Sequence, residues 1–220
     1  GVWTYTMGSA HNEFVGGTTY TDSITVTTAD GTTQVITVTM TGTNDAAIIT
    51  GTSTASLTES NAVQATGGTL SATDVDSSNA FVAQTAVAGD NGYGSFSIDA
   101  AGVWTYTMGS AHNEFVGGTT YTDSITVTTA DGTTQVITVT MTGTNDAAII
   151  TGTSTASLTE SNAVQATGGT LSATDVDSSS AFVAQTAVAG DNGYGSFSID
   201  AAGVWTYTMG SAHNEFVGGT

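Results

Sequence analysis

No lysine or arginine occurs anywhere in the 220 residues, and neither does cysteine or proline. Each absence removes a class of explanation. Nucleic acid and anionic membrane surfaces are held by a basic face, and a chain with 19 acidic residues and a net charge of −19 has none to offer. Its natural electrostatic partners are cations. Without cysteine no disulfide can staple a small domain, even in an oxidising compartment. Without proline, joints between domains lack a common stiffener, and bound metal is the obvious remaining device. No run reaches the 18 apolar residues of a membrane-spanning helix. Catalytic signatures are missing too, with no Gly-x-Ser-x-Gly elbow, no His-x-x-x-His spacing and no glycine-rich phosphate loop. The hydrophobic fraction of 39% is still enough for a core and too high for a disordered acidic tail.

What is present is a repeat. Gly1-Val2-Trp3-Thr4-Tyr5-Thr6-Met7 returns at Gly102–Met108 and again at Gly203–Met209, a period of 101 residues that holds along the whole chain. Asn79 against Ser180 is the only mismatch. A period this long is a complete domain rather than a solenoid coil or propeller blade. The run Gly143-Thr144-Asn145-Asp146-Ala147, with its earlier copy at Gly42–Ala46, marks the joint. Residues 46–146 are then one complete repeat, 1–45 the end of a preceding one and 147–220 the leading part of the next.

Within a period the pattern is β throughout. Ser124-Ile125-Thr126-Val127-Thr128 and Gln135–Met141 alternate hydroxyl or polar with apolar residues around the hairpin signal Ala130-Asp131-Gly132. Phe96 and Ile98, and then Trp104, Tyr106 and Met108, alternate in the same way. The expected strands are 47–57, 68–73, 80–88, 93–98, 102–108, 119–129 and 133–143, with at most one helical turn, at Ser110–Val116. Seven short strands in about 100 residues suit an immunoglobulin-like or cadherin-like sandwich. The expectation is therefore an all-β chain of tandem seven-strand sandwiches forming an elongated rod. Trp104, Tyr106, Phe96, Ile98, Ile125, Val127, Ile137 and Val139 form the expected core; Trp104 and Tyr106 could instead be a sugar platform.

Five ordered motifs carry a resemblance. Leu57-Thr58-Glu59, Leu70–Asp76, Gly94–Tyr106, Thr122–Val127 and Gly143–Ala147 together resemble the VCBS repeat of bacterial surface proteins, over the full period and so over essentially the whole chain. That resemblance implies extender repeats of a secreted, repeat-in-toxin-type cell-surface adhesin, exported by type I secretion and used in cell adhesion and biofilm formation. The chain departs from the family pattern at the joint, where alanine (Ala47, Ala148) stands in place of the family's proline.

The acids read independently as a calcium set. Calcium takes six to eight hard oxygen ligands. Asp175-Val176-Asp177 puts two carboxylates on one side of an extended segment, Asn145 and Asp146 lie in the joint, and Glu59 and Asp123 are expected at the adjoining rim. The arrangement resembles the shared calcium sites between cadherin domains. Asp22, Asn44, Asp45, Asp74 and Asp76 form the earlier joint, and Glu160 is the counterpart of Glu59. The alternative is solvated loop acids. Asp90, Asp99 and Asp131 fit turns, where Asp caps its own backbone. The pair His112 and Glu114 reads as a polar loop or a transition-metal pair.

Two functions follow without catalysis, since identical active sites in every repeat would be unusual. One is the calcium-stiffened extender, partnered by neighbouring repeats. The other is a self-associating or polysaccharide-binding repeat of an extracellular fibre or sheath. The chain's ends bear on this choice. Residues 1–45 hold three strands of a sandwich and 147–220 hold five, so neither closes a two-sheet core. Strand exchange between copies and an excerpt of a longer covalent array both fit. The duplication of Gly1–Thr18 as Gly203–Thr220 favours the excerpt, with both copies expected at the same place in successive sandwiches.

Overall fold

The computed structural model describes residues 1–216. Those residues contain strands and no helix. The chain forms two compact units, residues 1–112 with 120–142, and residues 113–119 with 143 onward.

The first unit opens with a hairpin, β1 (Thr19–Thr27) and β2 (Thr33–Thr41), paired antiparallel over nine residues. The complete repeat follows as β3 (Ile48–Gly51), β4 (Thr54–Thr58), β5 (Ala65–Thr73), β6 (Gln84–Ala88), β7 (Gly94–Ile98), β8 (Val103–Met108), β9 (Thr120–Thr128) and β10 (Thr134–Thr142). One layer runs β3-β5-β8-β7-β6 and the other β4-β10-β9. Every pairing is antiparallel except that of β4 with β10, where Thr54 lies opposite Thr138 and Thr58 opposite Thr142.

Period-two alternation sends one face of each strand inward. Trp104, Tyr106, Phe96, Ile98, Val127, Ile137 and Val139 are all buried, together with Leu70, Phe81, Met108 and Met141. Each large apolar side chain so buried contributes about 1.5–3 kcal/mol. The Trp104 indole N–H donates to the Thr52 carbonyl at 2.7 Å, so the aromatic stripe of the complete repeat is core and not a platform. Ile125, expected in the core, is only half-buried.

Three expected elements differ. The single strand 47–57 is two strands in different layers. Gly51, at φ +104°, ends β3, and a β-carbon there would run into the Thr69 carbonyl, so the chain bends across as β4. Strand 80–88 shrinks to β6, with Phe81 making an isolated bridge to Thr129. The segment 110–116 contains turns and no helical turn, and His112 is held in the left-handed region at φ +57°.

The second unit carries β11 (Ile149–Gly152), β12 (Ala166–Thr174), β13 (Gln185–Ala189), β14 (Gly195–Ile199) and β15 (Val204–Met209), in the single sheet β11-β12-β15-β14-β13. This is the order of β3-β5-β8-β7-β6 strand for strand. Thr155–Thr159, which has the sequence of β4, is not a strand.

Candidate metal centre

The joint after residue 43 lies wholly within the first unit. Its acidic loop is a bend rather than an extended segment, organised by its own carboxylates. Asp74 Oδ1 accepts the amides of Asp76 at 3.0 Å and Ser77 at 2.8 Å, an Asx-type cap. Asn79 Oδ1 accepts the Asp74 amide at 2.8 Å. Asp76 Oδ1 accepts the Asp45 amide at 3.2 Å, tying the loop to the linker. The second oxygens of Asp74 and Asp76 are shielded from solvent and have no hydrogen-bond partner, and Asp76 as a residue is only 7% exposed. Asn44 is exposed and its side-chain amide donates to the Asp45 carbonyl.

The second unit repeats this geometry. Asp175 Oδ1 accepts Asp177 N at 3.1 Å and Ser178 N at 2.8 Å, and Asp177 Oδ1 accepts Asp146 N at 3.3 Å. Gly117 N donates to Asp177 Oδ2 at 3.3 Å. Ser180 Oγ accepts the Asp175 amide at 3.2 Å, so the one substitution between copies keeps the same cap. Asn145 donates to the Asp146 carbonyl. Asn113, which sequence reasoning passed over, has a side-chain oxygen that is shielded and without a hydrogen-bond partner. Its only signal in sequence is membership of a polar loop.

Not all of the expected ligands gather. Asp123 is fully buried, several residues inward from the rim along β9. Its Oδ1 accepts Asn91 N at 2.9 Å, and its Oδ2 accepts Gly94 N at 3.0 Å and Tyr106 O–H at 3.1 Å. Both oxygens are occupied, so Asp123 is a structural carboxylate rather than a rim ligand. Burial, followed by the Asp123 charge and hydrogen bond, pushes the Tyr106 hydroxyl well above its ordinary range. A β-carbon on Gly89 would stand inside the Asp123 carboxylate, so that glycine is required. Asp22, the counterpart, is exposed and accepts Tyr5 O–H at 3.1 Å. Glu59 is buried at the end of β4, its amide donating to Thr142 O at 2.8 Å; Glu160 is half-buried.

The turn acids divide in a similar way. Asp99 caps its own turn, accepting Ala101 N and Val103 N, whereas Asp90, expected to cap its own turn, instead reaches across to β9 and accepts Ser124 N and Oγ. Asp131 does more than cap its hairpin. It accepts Thr129 Oγ1, Thr133 Oγ1 and the amide of Ala47 at 2.9 Å. His112 Nε2 meets the Tyr93 carbonyl at 2.7 Å, and its copy His213 is committed at both ring nitrogens. His213 Nδ1 meets Glu215 at 2.6 Å and Nε2 meets the Tyr194 carbonyl at 2.8 Å. Those two acceptors, the carboxylate first, raise its pKa and leave no ring nitrogen for a transition metal. Among the described residues no three His, Cys, Asp or Glu side chains converge as a preassembled metal cluster. The donor chemistry at each joint is hard oxygen in pairs.

Residues 44–143 match the family model described as bacterial cadherin-like domain. That segment, 100 of the 220 residues, is similar to a cadherin-like repeat. Solved structures that align with the chain include protocadherin PcdhgB3 EC1-4 (13% identity, TM-score 0.46, 90% of this chain and 59% of that one) and the protocadherin GammaB4 extracellular domain (13%, 0.46, 86% and 36%). The human desmocollin-1 ectodomain aligns at 15% identity and TM-score 0.35, over 86% of this chain and 39% of that one. The chain spans little more than half of the first of these and about a third of the second. No curated protein matches it.

Proposed function

We propose that this chain is a run of structural extender repeats of a secreted bacterial cell-surface adhesin, with calcium stiffening the joints and no catalytic role. The observation that carries the calcium reading is the pair of shielded, unpartnered oxygens on Asp74 and Asp76, in a loop bonded to linker residue Asp45. A desolvated carboxylate oxygen without a partner is costly, and a chain without lysine or arginine has almost nothing of its own to neutralise it. Calcium supplies positive charge to several hard oxygens at once. Asp45, Asp74, Asp76 and Asn44 would hold it at one joint; Asp146, Asp175, Asp177, Asn145 and Asn113 would do so at the other. Glu59 and Glu160 are the further carboxylates of the set. The bacterial cadherin-like match and the extracellular character of the solved neighbours support a location outside the cell, and adhesion and biofilm support as the role. The polysaccharide alternative needs an exposed aromatic face, and the complete repeat keeps Trp104 and Tyr106 in its core.

Calcium titration tests the proposal. With free ion near 100 times the dissociation constant each site adds about 2.7 kcal/mol. The melting temperature should fall in excess chelator, and small-angle scattering should report a shorter particle. Asp74→Ala with Asp76→Ala, or Asp175→Ala with Asp177→Ala, should remove part of that gain while the complete repeat stays folded. Melting and scattering that ignore chelator would sink the calcium reading.

A further inference from the structure

The joint that leads into the complete repeat is fastened from inside that repeat. Ala47 is 7% exposed, and its amide donates to Asp131 Oδ2 at 2.9 Å and to Thr133 Oγ1 at 3.2 Å. These partners lie 84 and 86 residues further along the chain, at the turn between β9 and β10. The Asp131 carboxylate divides two tasks between its oxygens. Oδ1 accepts Thr129 Oγ1 and Thr133 N and so builds the turn. Oδ2 takes the linker amide, with Thr133 Oγ1 donating to it at 2.6 Å. The Oδ1 contacts recur at Asp30, with Thr28 Oγ1 and Thr32 N. The turn therefore forms from its own residues, and the bond to the linker is an addition to it.

The same turn also grips the acidic loop. Ala130 N donates to Ala80 O at 2.9 Å, and Phe81 bridges Thr129. Ala80 follows Asn79, whose Oδ1 accepts the Asp74 amide. Asp74 in turn orders Asp76, and Asp76 accepts the Asp45 amide. Only Ala46 separates Asp45 from Ala47. Linker, acidic loop and hairpin turn thus close a ring of hydrogen bonds, all of it within the first unit.

We propose that Asp131 is a positioning residue for the joint: it latches the linker through the Ala47 amide and, with no metal bound, holds Asp45 against the Asp74–Asp76 loop. A hydrogen bond to a carboxylate is roughly twice as strong as a neutral one, and a buried amide stripped of its partner is costly. Proline could not serve at this position, because it has no N–H to donate. Alanine where the resembled family has proline is then an exchange of stiffeners, a restricted φ giving way to a bond across the sandwich. The latch rests on the calcium reading only for what the positioned carboxylates would hold.

Hydrogen exchange of the 220-residue chain in excess chelator tests this amide by amide. In wild type the Ala47 and Asp45 amides should exchange at least about 10-fold more slowly than in an unstructured chain. Asp131→Ala should return Ala47 to near the unstructured rate and speed Asp45 by about 10-fold. Ala47→Pro leaves the turn residues in place and removes only the donor. It should speed Asp45 by a similar factor, even though proline narrows the backbone. The Asn91 and Gly94 amides, held by Asp123 in the same sandwich, should keep their wild-type rates and so report an intact fold in both variants. An unprotected Ala47 amide in wild type overturns the proposal, as does an Asp45 amide that exchanges no faster in Ala47→Pro. Calcium is then added back. A wild type whose Asp45 exchange ignores the ion counts against the calcium reading alone, since the latch is decided in chelator.

Discussion

Residues 46–115 and 147–216 have the same sequence apart from Asn79 and Ser180, yet they present different surfaces. Trp104 is 1% exposed and Trp205 only half-buried; Phe96 is 1% exposed and Phe197 45%; Val127 is inaccessible, whereas its hairpin counterpart Val26 is 39% exposed. Local propensity makes the same five-stranded sheet in both places. Burial is decided by whether a second sheet lies over it, a non-local property that no window of sequence contains. The strand state of Thr54–Thr58 and its loss in Thr155–Thr159 make the same point for backbone structure.

The comparison can be broken most readily at the tryptophans. Trp104→Ala should cost about 3–5 kcal/mol by emptying a core site, and Trp205→Ala in dilute protein under about 1 kcal/mol, since partial exposure leaves little cavity. Urea denaturation followed by near-ultraviolet circular dichroism measures both. Equal costs would mean that the second sheet is not what distinguishes the repeats.

A smaller contrast sits at the two hairpin carboxylates. Asp123→Ala strands two buried donors and one part-buried one and should cost about 2–3 kcal/mol. Asp22→Ala, in monomeric protein, removes one exposed bond and should shift the midpoint by less than about 0.5 kcal/mol. The smallest contrast is in acid. Thr129, then Thr133 and the Ala47 amide, hold the Asp131 carboxyl well below the carboxylate range. Asp30 is lowered by Thr28 and Thr32, within its own turn. A depressed folded pKa stabilises above the unfolded value, about 3.9, and that contribution is lost as pH falls toward the folded pKa. Asp131→Asn should therefore melt below wild type at neutral pH, with the gap closing under acid. Asp30→Asn should show a smaller gap.

Much of the fold was legible from alternation alone, because each strand buries one face and the hairpin signals are local. The core residues Trp104, Tyr106, Phe96, Val127, Ile137 and Val139 follow from that period. The switch at Gly51 was not legible, since apolar residues on both sides read as one strand until a positive φ bends the chain between layers. At the joints, residue type and spacing pointed to the Asp74–Asp76 loop and the Asp45 linker, which do meet. Asp123 looks like any other acid in a Thr-rich strand. Only the folded sheet brings Asn91, Gly94 and Tyr106 to it and turns a candidate ligand into an internal fastener.

The parallel pairing of β4 with β10 has a mechanical consequence. The two strands lie near opposite chain ends of the repeat, so tension applied through its neighbours pulls them in opposite directions along their length. The ladder between Thr54–Thr58 and Thr138–Thr142 is then loaded in shear. Its hydrogen bonds share the load and yield together, whereas a peeled hairpin gives them up one at a time. Single-molecule pulling should find that a proline at Thr138, whose amide donates to Ser53, lowers the unfolding force more than a proline at an exposed loop position does. An extender tethered at both ends would owe its strength under load to these few residues.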